Sequence, residues 1–148
     1  MNEKVLQTPI LLIIYNRPEI VKKAIDNLRL VKPRFLYIVA DGPKNNRKDK
    51  DLCLKARKIV LSSIDWECEI KTLFREYNLG CGKSVSRGIN WFFSHNKQGI
   101  ILEDDVMCDP SFFKFSEILL NKYRDNPKIM QIKATHLHNC SPEDSYFY

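Results

Sequence analysis

Glu103, Asp104 and Asp105 stand in a row behind Ile100-Ile101-Leu102, in the stretch GIILEDDVMCDP. Adjacent carboxylates repel one another and are costly to desolvate. At the end of a strand they become useful when a cation neutralises them. Hard divalent ions such as Mg2+ and Mn2+ take oxygen ligands, and Mg2+ commonly uses one or two carboxylates together with substrate phosphates. Side chains alternate along an extended segment. Glu103 and Asp105 then face one way and Asp104 the other. One acid can hold a metal while its neighbour holds something else, such as a ribose hydroxyl. The plain alternative is a solvated acidic turn, with Asp109 capping the next helix.

The elements that position these acids are legible in outline. Ile100, Ile101 and Leu102 read as a buried strand, beginning at Gly99. The run PILLIIY, Pro9 to Tyr15, has the continuous apolar character of a strand covered on both faces. Asn16-Arg17-Pro18 breaks it, and Pro18 suits a first helical turn. Ile20, Val21, Ala24, Ile25 and Leu28 follow at helical spacing, predicting a helix over Pro18 to Leu30. A second strand, Arg34 to Ala40, ends at the turn signal Asp41-Gly42-Pro43. Lys44 to Asp51 reads as a charged loop leading into a helix striped by Leu52, Ala56, Ile59 and Val60. Cys68 to Glu76 alternates like a strand, edge or interior. The loop NLGCGKS leads to a helix face of Val85, Ile89, Phe92 and Phe93. Asp109-Pro110-Ser111 opens a helix carrying Phe112, Phe113, Phe115, Ile118, Leu119 and Tyr123, and KIMQIKA reads as a final strand. Such alternation predicts an α/β fold, a mainly parallel sheet with helices on both faces. Ligands in such folds bind beyond the carboxyl ends of the strands. The polar residues fall there: Tyr15-Asn16-Arg17, Asp41-Gly42, Arg75 to Gly82, and the three acids.

Composition sets the bounds. The 148 residues, 44% hydrophobic and 28% charged, are enough for one domain with a core. No apolar run approaches the roughly 20 residues of a membrane span. Met1 to Gln7 is polar, unlike a signal peptide. Five scattered cysteines without a CxxC pair argue against a disulfide framework or a zinc site and for a reducing cytosol. A net charge of +6 suits nucleic acid, an anionic membrane surface or a phosphorylated small molecule, or is simply a solvated basic surface.

PILLIIYNRPEIVKKAIDNL, YIVADGPK, NLGCGKSVSRGINWFF and GIILEDDVMCDPSFFKF, in that order, resemble glycosyltransferases of the GT-A fold, a Rossmann-like nucleotide-diphospho-sugar transferase fold. The match is to the family-two-like bacterial enzymes. The Glu-Asp-Asp version of the Asp-x-Asp motif with its following DPSFF also resembles type I N-acetylglucosaminyltransferases. The resemblance covers about Pro9 to Asn139. It implies metal-assisted transfer of a sugar from a nucleotide-diphosphate sugar, a UDP-sugar first of all, to a glycan or lipid-linked acceptor. Tyr15, Asn16 and Arg17 would cradle the nucleotide, and Asp41 would accept from uracil N3–H. Lys83 and Arg87, one helical turn apart, would face the nucleotide. Asp105 would ligate Mn2+ or Mg2+, Asp104 would contact the ribose or donor sugar, and Glu103 would support the site.

The resemblance further implies that these residues, 1–148, form a single donor-binding domain, with the acceptor-binding half and its catalytic base missing. Glu143 and Asp144 are candidate bases by elimination only, and His136 and His138 are candidate late metal ligands. A bacterial polysaccharide or lipid-linked acceptor implies work in the cytoplasm, at the inner face of the membrane, with peripheral membrane association. A donor-binding remnant or interaction domain without turnover is the alternative. GCGKS and IILEDD suggest a P-loop nucleotidase, but that loop needs glycine where Tyr77 stands. A dinucleotide fold lacks its G-x-G-x-x-G, since the first turn is NRP. The basic residues form no single stripe, so nucleic acid is not an expected partner.

Overall fold

The computed structural model describes residues 5–133. Four strands form one parallel sheet: β1 (Ile10–Ile14), β2 (Phe35–Ala40), β3 (Glu69–Phe74) and β4 (Ile100–Glu103), in the order β3-β2-β1-β4. Four helices alternate with them: α1 (Pro18–Arg29), α2 (Arg47–Ser62), α3 (Cys81–His95) and α4 (Pro110–Lys122). The α/β class, the parallel sheet and the helices on both faces are as the sequence predicts.

One face of the sheet shows Ile10, Leu12, Ile14, Leu36, Ile38 and Ala40, and it packs on Val21, Ile25 and Leu28 of α1, Ala56 and Val60 of α2, and Phe113 of α4. The other face shows Leu11, Tyr37 and Val39, covered by Phe92, Ile89 and Trp91 of α3. The period of two along each strand explains why both faces are apolar. Right-handed crossovers explain which helix lies where. The chain steps β1-β2-β3 in one direction, with α1 and α2 on one face. It then returns across the sheet to β4 through α3, which must take the opposite face. This doubly wound arrangement has its switch point between β1 and β4, where ligands bind in such sheets.

Four expectations are corrected. First, β4 is an edge strand among the described residues, and Ile101 is 38% exposed rather than buried. Second, KIMQIKA is not a strand over its described part. The Asn126 carbonyl and side chain take the amides of Ile129 and Lys128, so a turn uses N–H groups that a ladder would need. Third, α2 begins inside the expected charged loop. The Asn46 side chain accepts from Asp49 N at 2.8 Å and caps the helix there. Fourth, Phe93, read with Val85, Ile89 and Phe92 as one helix face, is exposed while Phe92 is buried, and Phe115 and Ile118 of α4 are exposed as well.

No helix among the described residues is long and apolar enough to cross a membrane. Cys53 is buried and its thiol is pushed up to about 11, chiefly by that burial, so it is a packing residue at neutral pH.

Candidate functional site at the strand ends

The acids continue the alternation of β4 past its end. Ile100 and Leu102 point inward, Ile101 and Glu103 outward, and Asp104 N donates to Ile13 O at 3.1 Å. That bond carries the β1–β4 ladder one residue further and turns Asp104 inward, 1% exposed, while Glu103 and Asp105 face solvent. The expected division of the triplet is therefore present.

Arg17 reaches across from the end of β1. One guanidinium nitrogen pairs with Asp104 Oδ1, and Nη1 donates to Asp105 Oδ2 at 2.9 Å. Asp104 Oδ2 is buried and has no partner among the described residues. Burial raises the Asp104 carboxyl above its ordinary value, Arg17 opposes this, and the charges of Asp105 and Glu103 add to it. Arg17 is the N-cap residue of α1, but its side chain caps nothing there. Its backbone carbonyl accepts from Ile20 N and Val21 N, so the residue is anchored while its side chain extends to the acids. The exit of the acid loop is fastened too. Asn27 of α1 donates to Cys108 O at 2.8 Å and accepts from Cys108 N at 3.1 Å.

A second network joins the ends of the first three strands. Asp49, 7% exposed, accepts from Tyr15 OH at 2.6 Å, Asn16 Nδ2 at 2.5 Å and Lys44 N at 2.6 Å. Burial pushes its carboxyl up, but the bonds from Tyr15, Lys44 N and Asn16 outweigh that and hold it below the usual range. Tyr15 moves the opposite way. Burial and the Asp49 charge both disfavour a phenolate, so its hydroxyl stays a donor. Asn78 donates to Tyr15 OH at 3.2 Å, Asp41 Oδ2 at 3.1 Å and Gly42 O at 2.9 Å.

Asp41, also buried, takes Gly42 N, Leu79 N and Gly80 N as well. Its acceptor positions are filled by its own chain, and its role in this arrangement is to hold the loop of residues 78–80 against the end of β2. Lys83 and Arg87 lie on one exposed face of α3, at the start of the helix that this loop opens. The structure thus brings Arg17, Asp104 and Asp105 together, and ties Tyr15, Asn16 and Asp41 into a separate scaffold.

Sequence reasoning missed Asp49, Asn78 and Asn27. The spacing Asn46-x-x-Asp49 matches a capping pattern and points to Asp49 at the third helical position. Nothing local pointed to its three donors. His136, His138, Glu143 and Asp144 lie outside the described residues.

The carboxylates fit a small hard cation by their chemistry. No group of three or more His, Cys, Asp or Glu converges among the described residues. A site that completes its shell with substrate phosphates needs only one or two carboxylates. The orphaned Asp104 oxygen marks a buried charge that Arg17 alone leaves incompletely compensated. Asp104→Asn removes that charge and nearly preserves shape. We expect it to raise the melting temperature by about 2–4 °C, the response of a domain this size to roughly 1 kcal/mol. Thermal unfolding at pH 7 checks it, and a fall of several degrees would show Asp104 to be a structural ion-pair partner. No family model, curated protein or solved structure matched the chain in comparison with known proteins.

Proposed function

We propose that this chain is the donor-binding domain of a GT-A-type glycosyltransferase. It would use a UDP-sugar and a divalent cation, Mn2+ or Mg2+, to glycosylate a glycan or lipid-linked acceptor. The observation that carries the reading is the placement of Arg17, Asp104 and Asp105 at the switch point between β1 and β4, with one acid buried and one exposed. A nucleoside diphosphate joins negative phosphates to a ribose and a base. Acids for a cation beside an arginine for phosphate, at the strand ends, match the first of these.

In this reading Asp105, which is exposed, would ligate the cation. Asp104 would help hold it or meet the donor's hydroxyls, and Glu103 would add negative charge beside them. When bound, the cation neutralises charge on the departing nucleoside diphosphate. Arg17 binds the phosphates. Lys83 and Arg87 add positive potential from the start of α3. Tyr15 and Asn16, clamped by Asp49, form the wall against the nucleoside. Asp41 acts on the base through the loop it holds. Acceptor glycosylation at the cytoplasmic face of a membrane would agree with the family to which the motifs point.

The test is calorimetric titration of UDP into the protein with and without Mn2+, repeated on Asp105→Ala. We expect Mn2+ to tighten UDP binding at least tenfold, about 1.4 kcal/mol, and Asp105→Ala to remove the metal effect. Binding of UDP that ignores both metal and mutation would refute the metal-assisted reading. No binding of UDP, GDP or TDP under either condition would refute the donor-site reading.

A further inference from the structure

We propose that Arg17 is a built-in counter-cation that competes with a divalent ion for Asp104 and Asp105, so that metal entry and release of the arginine are one event. The inference rests on the donor-site reading above and adds a gate to it.

Three observations carry it. The Arg17 fork spans two different carboxylates, one nitrogen on Asp104 Oδ1 and the other on Asp105 Oδ2 at 2.9 Å. Asp104 Oδ2 is buried without a partner among the described residues, so Oδ1, the oxygen that faces Arg17, is the accessible way to this carboxylate. A metal drawing on Asp104 and Asp105 together must therefore take ligands that Arg17 holds. Finally, the Arg17 side chain is 42% exposed while its backbone is fixed at the start of α1. The guanidinium can leave the acids by side-chain rotation alone, without moving β1 or α1.

The charges favour an exchange. Glu103, Asp104 and Asp105 give three negative charges against the single positive charge of Arg17. A divalent ion compensates them better. The freed guanidinium is then available to a diphosphate, whose oxygens its planar fork matches. Arginine would thus shield the acids from one another when no donor is present and pass to the donor when metal and nucleotide arrive.

The experiment is titration of Mn2+ alone into the whole chain, followed by the electron paramagnetic resonance signal of free Mn2+. It is run on the wild type, Arg17→Gln, Arg17→Lys and Asp105→Asn, each confirmed folded by thermal unfolding. We expect Arg17→Gln to bind Mn2+ at least tenfold more tightly than the wild type. Arg17→Lys should fall between them, because a lysine ammonium is a point charge without the two-carboxylate fork. Asp105→Asn should bind Mn2+ more weakly than the wild type. UDP binding in the presence of Mn2+ should weaken in Arg17→Gln although its metal binding tightens. That opposition of signs is not the result of a merely structural arginine. Equal or weaker Mn2+ binding by Arg17→Gln would overturn the gate and leave the metal site standing. Absence of Mn2+ binding in every variant, with UDP present as well as without it, would overturn the metal site, and the gate with it.

Discussion

Asp49→Ala is expected to lower the unfolding free energy by about 3 kcal/mol at pH 7, because it removes the buried acceptor shared by three donors. Those donors are Tyr15 OH, Asn16 Nδ2 and Lys44 N, all within 2.6 Å of a carboxylate that is 7% exposed. They come from the end of β1 and from the β2–α2 loop, so the loss loosens the rim of the site as well as the fold. A drop of about 8 °C in melting temperature corresponds. The effect depends on pH with a definite sign. The folded environment holds the Asp49 carboxyl below its ordinary value. Its contribution is therefore complete above the ordinary carboxylate range, and it is lost as pH falls through the folded value. The gap between wild type and Asp49→Ala should stay constant from neutral pH down to about 5 and narrow towards pH 3. Asp49→Asn, which keeps one acceptor oxygen, should recover part of the loss. Urea unfolding at pH 7 and pH 3 measures both points. A deficit under about 1 kcal/mol at pH 7, or one that persists unchanged in acid, would show that Asp49 is not the hub described.

Gly42→Ala costs about 3–4 kcal/mol by a different route, overlap of atoms rather than loss of bonds. A Cβ at Gly42 would lie closer than 3.0 Å to the backbone of Tyr77, at N, C and O together. Backbone cannot yield as a flexible side chain can. The requirement is close approach and not a left-handed conformation, since Gly80 is the glycine with positive φ among the described residues. The segment that would be displaced carries Asn78, Leu79 and Gly80, whose donors hold Asp41. Gly82→Ala is the internal control. Its Cβ would meet nothing within 4 Å, and it lies inside the first turn of α3. There, alanine's helix propensity should stabilise by about 0.5–1 kcal/mol. Opposite signs at two glycines of one strand-end region would confirm the tight contact between Gly42 and Tyr77. A Gly42→Ala protein as stable as the wild type would show that the two loops can part.

What the sequence by itself determined is what short-range periodicity encodes. Apolar runs broken at Asn16-Arg17-Pro18 and Asp41-Gly42-Pro43 define β1 and β2, and the three- and four-residue spacing in α1 defines its buried stripe. The strict alternation of a strand sends Asp104 inward and its two neighbours outward, and this held one residue beyond the last strand pair. Pro18 and Asp109 mark their helix starts because the local backbone groups need them there. Tertiary structure alone decided the rest. Strand order is a long-range choice, so Ile101 reads as buried in sequence and, among the described residues, is exposed on an edge. The turn at Asn126 consumed the amides of an expected strand. The partners of Arg17 lie 87 and 88 residues away, and those of Asp49 up to 34. No spacing rule links such positions, because a side chain finds its hydrogen-bond partner only after the sheet has brought the strand ends to one rim. The sequence supplied the acids and the arginine. The parallel winding placed them against each other at the strand ends of β1 and β4, where the chain reverses direction across its sheet.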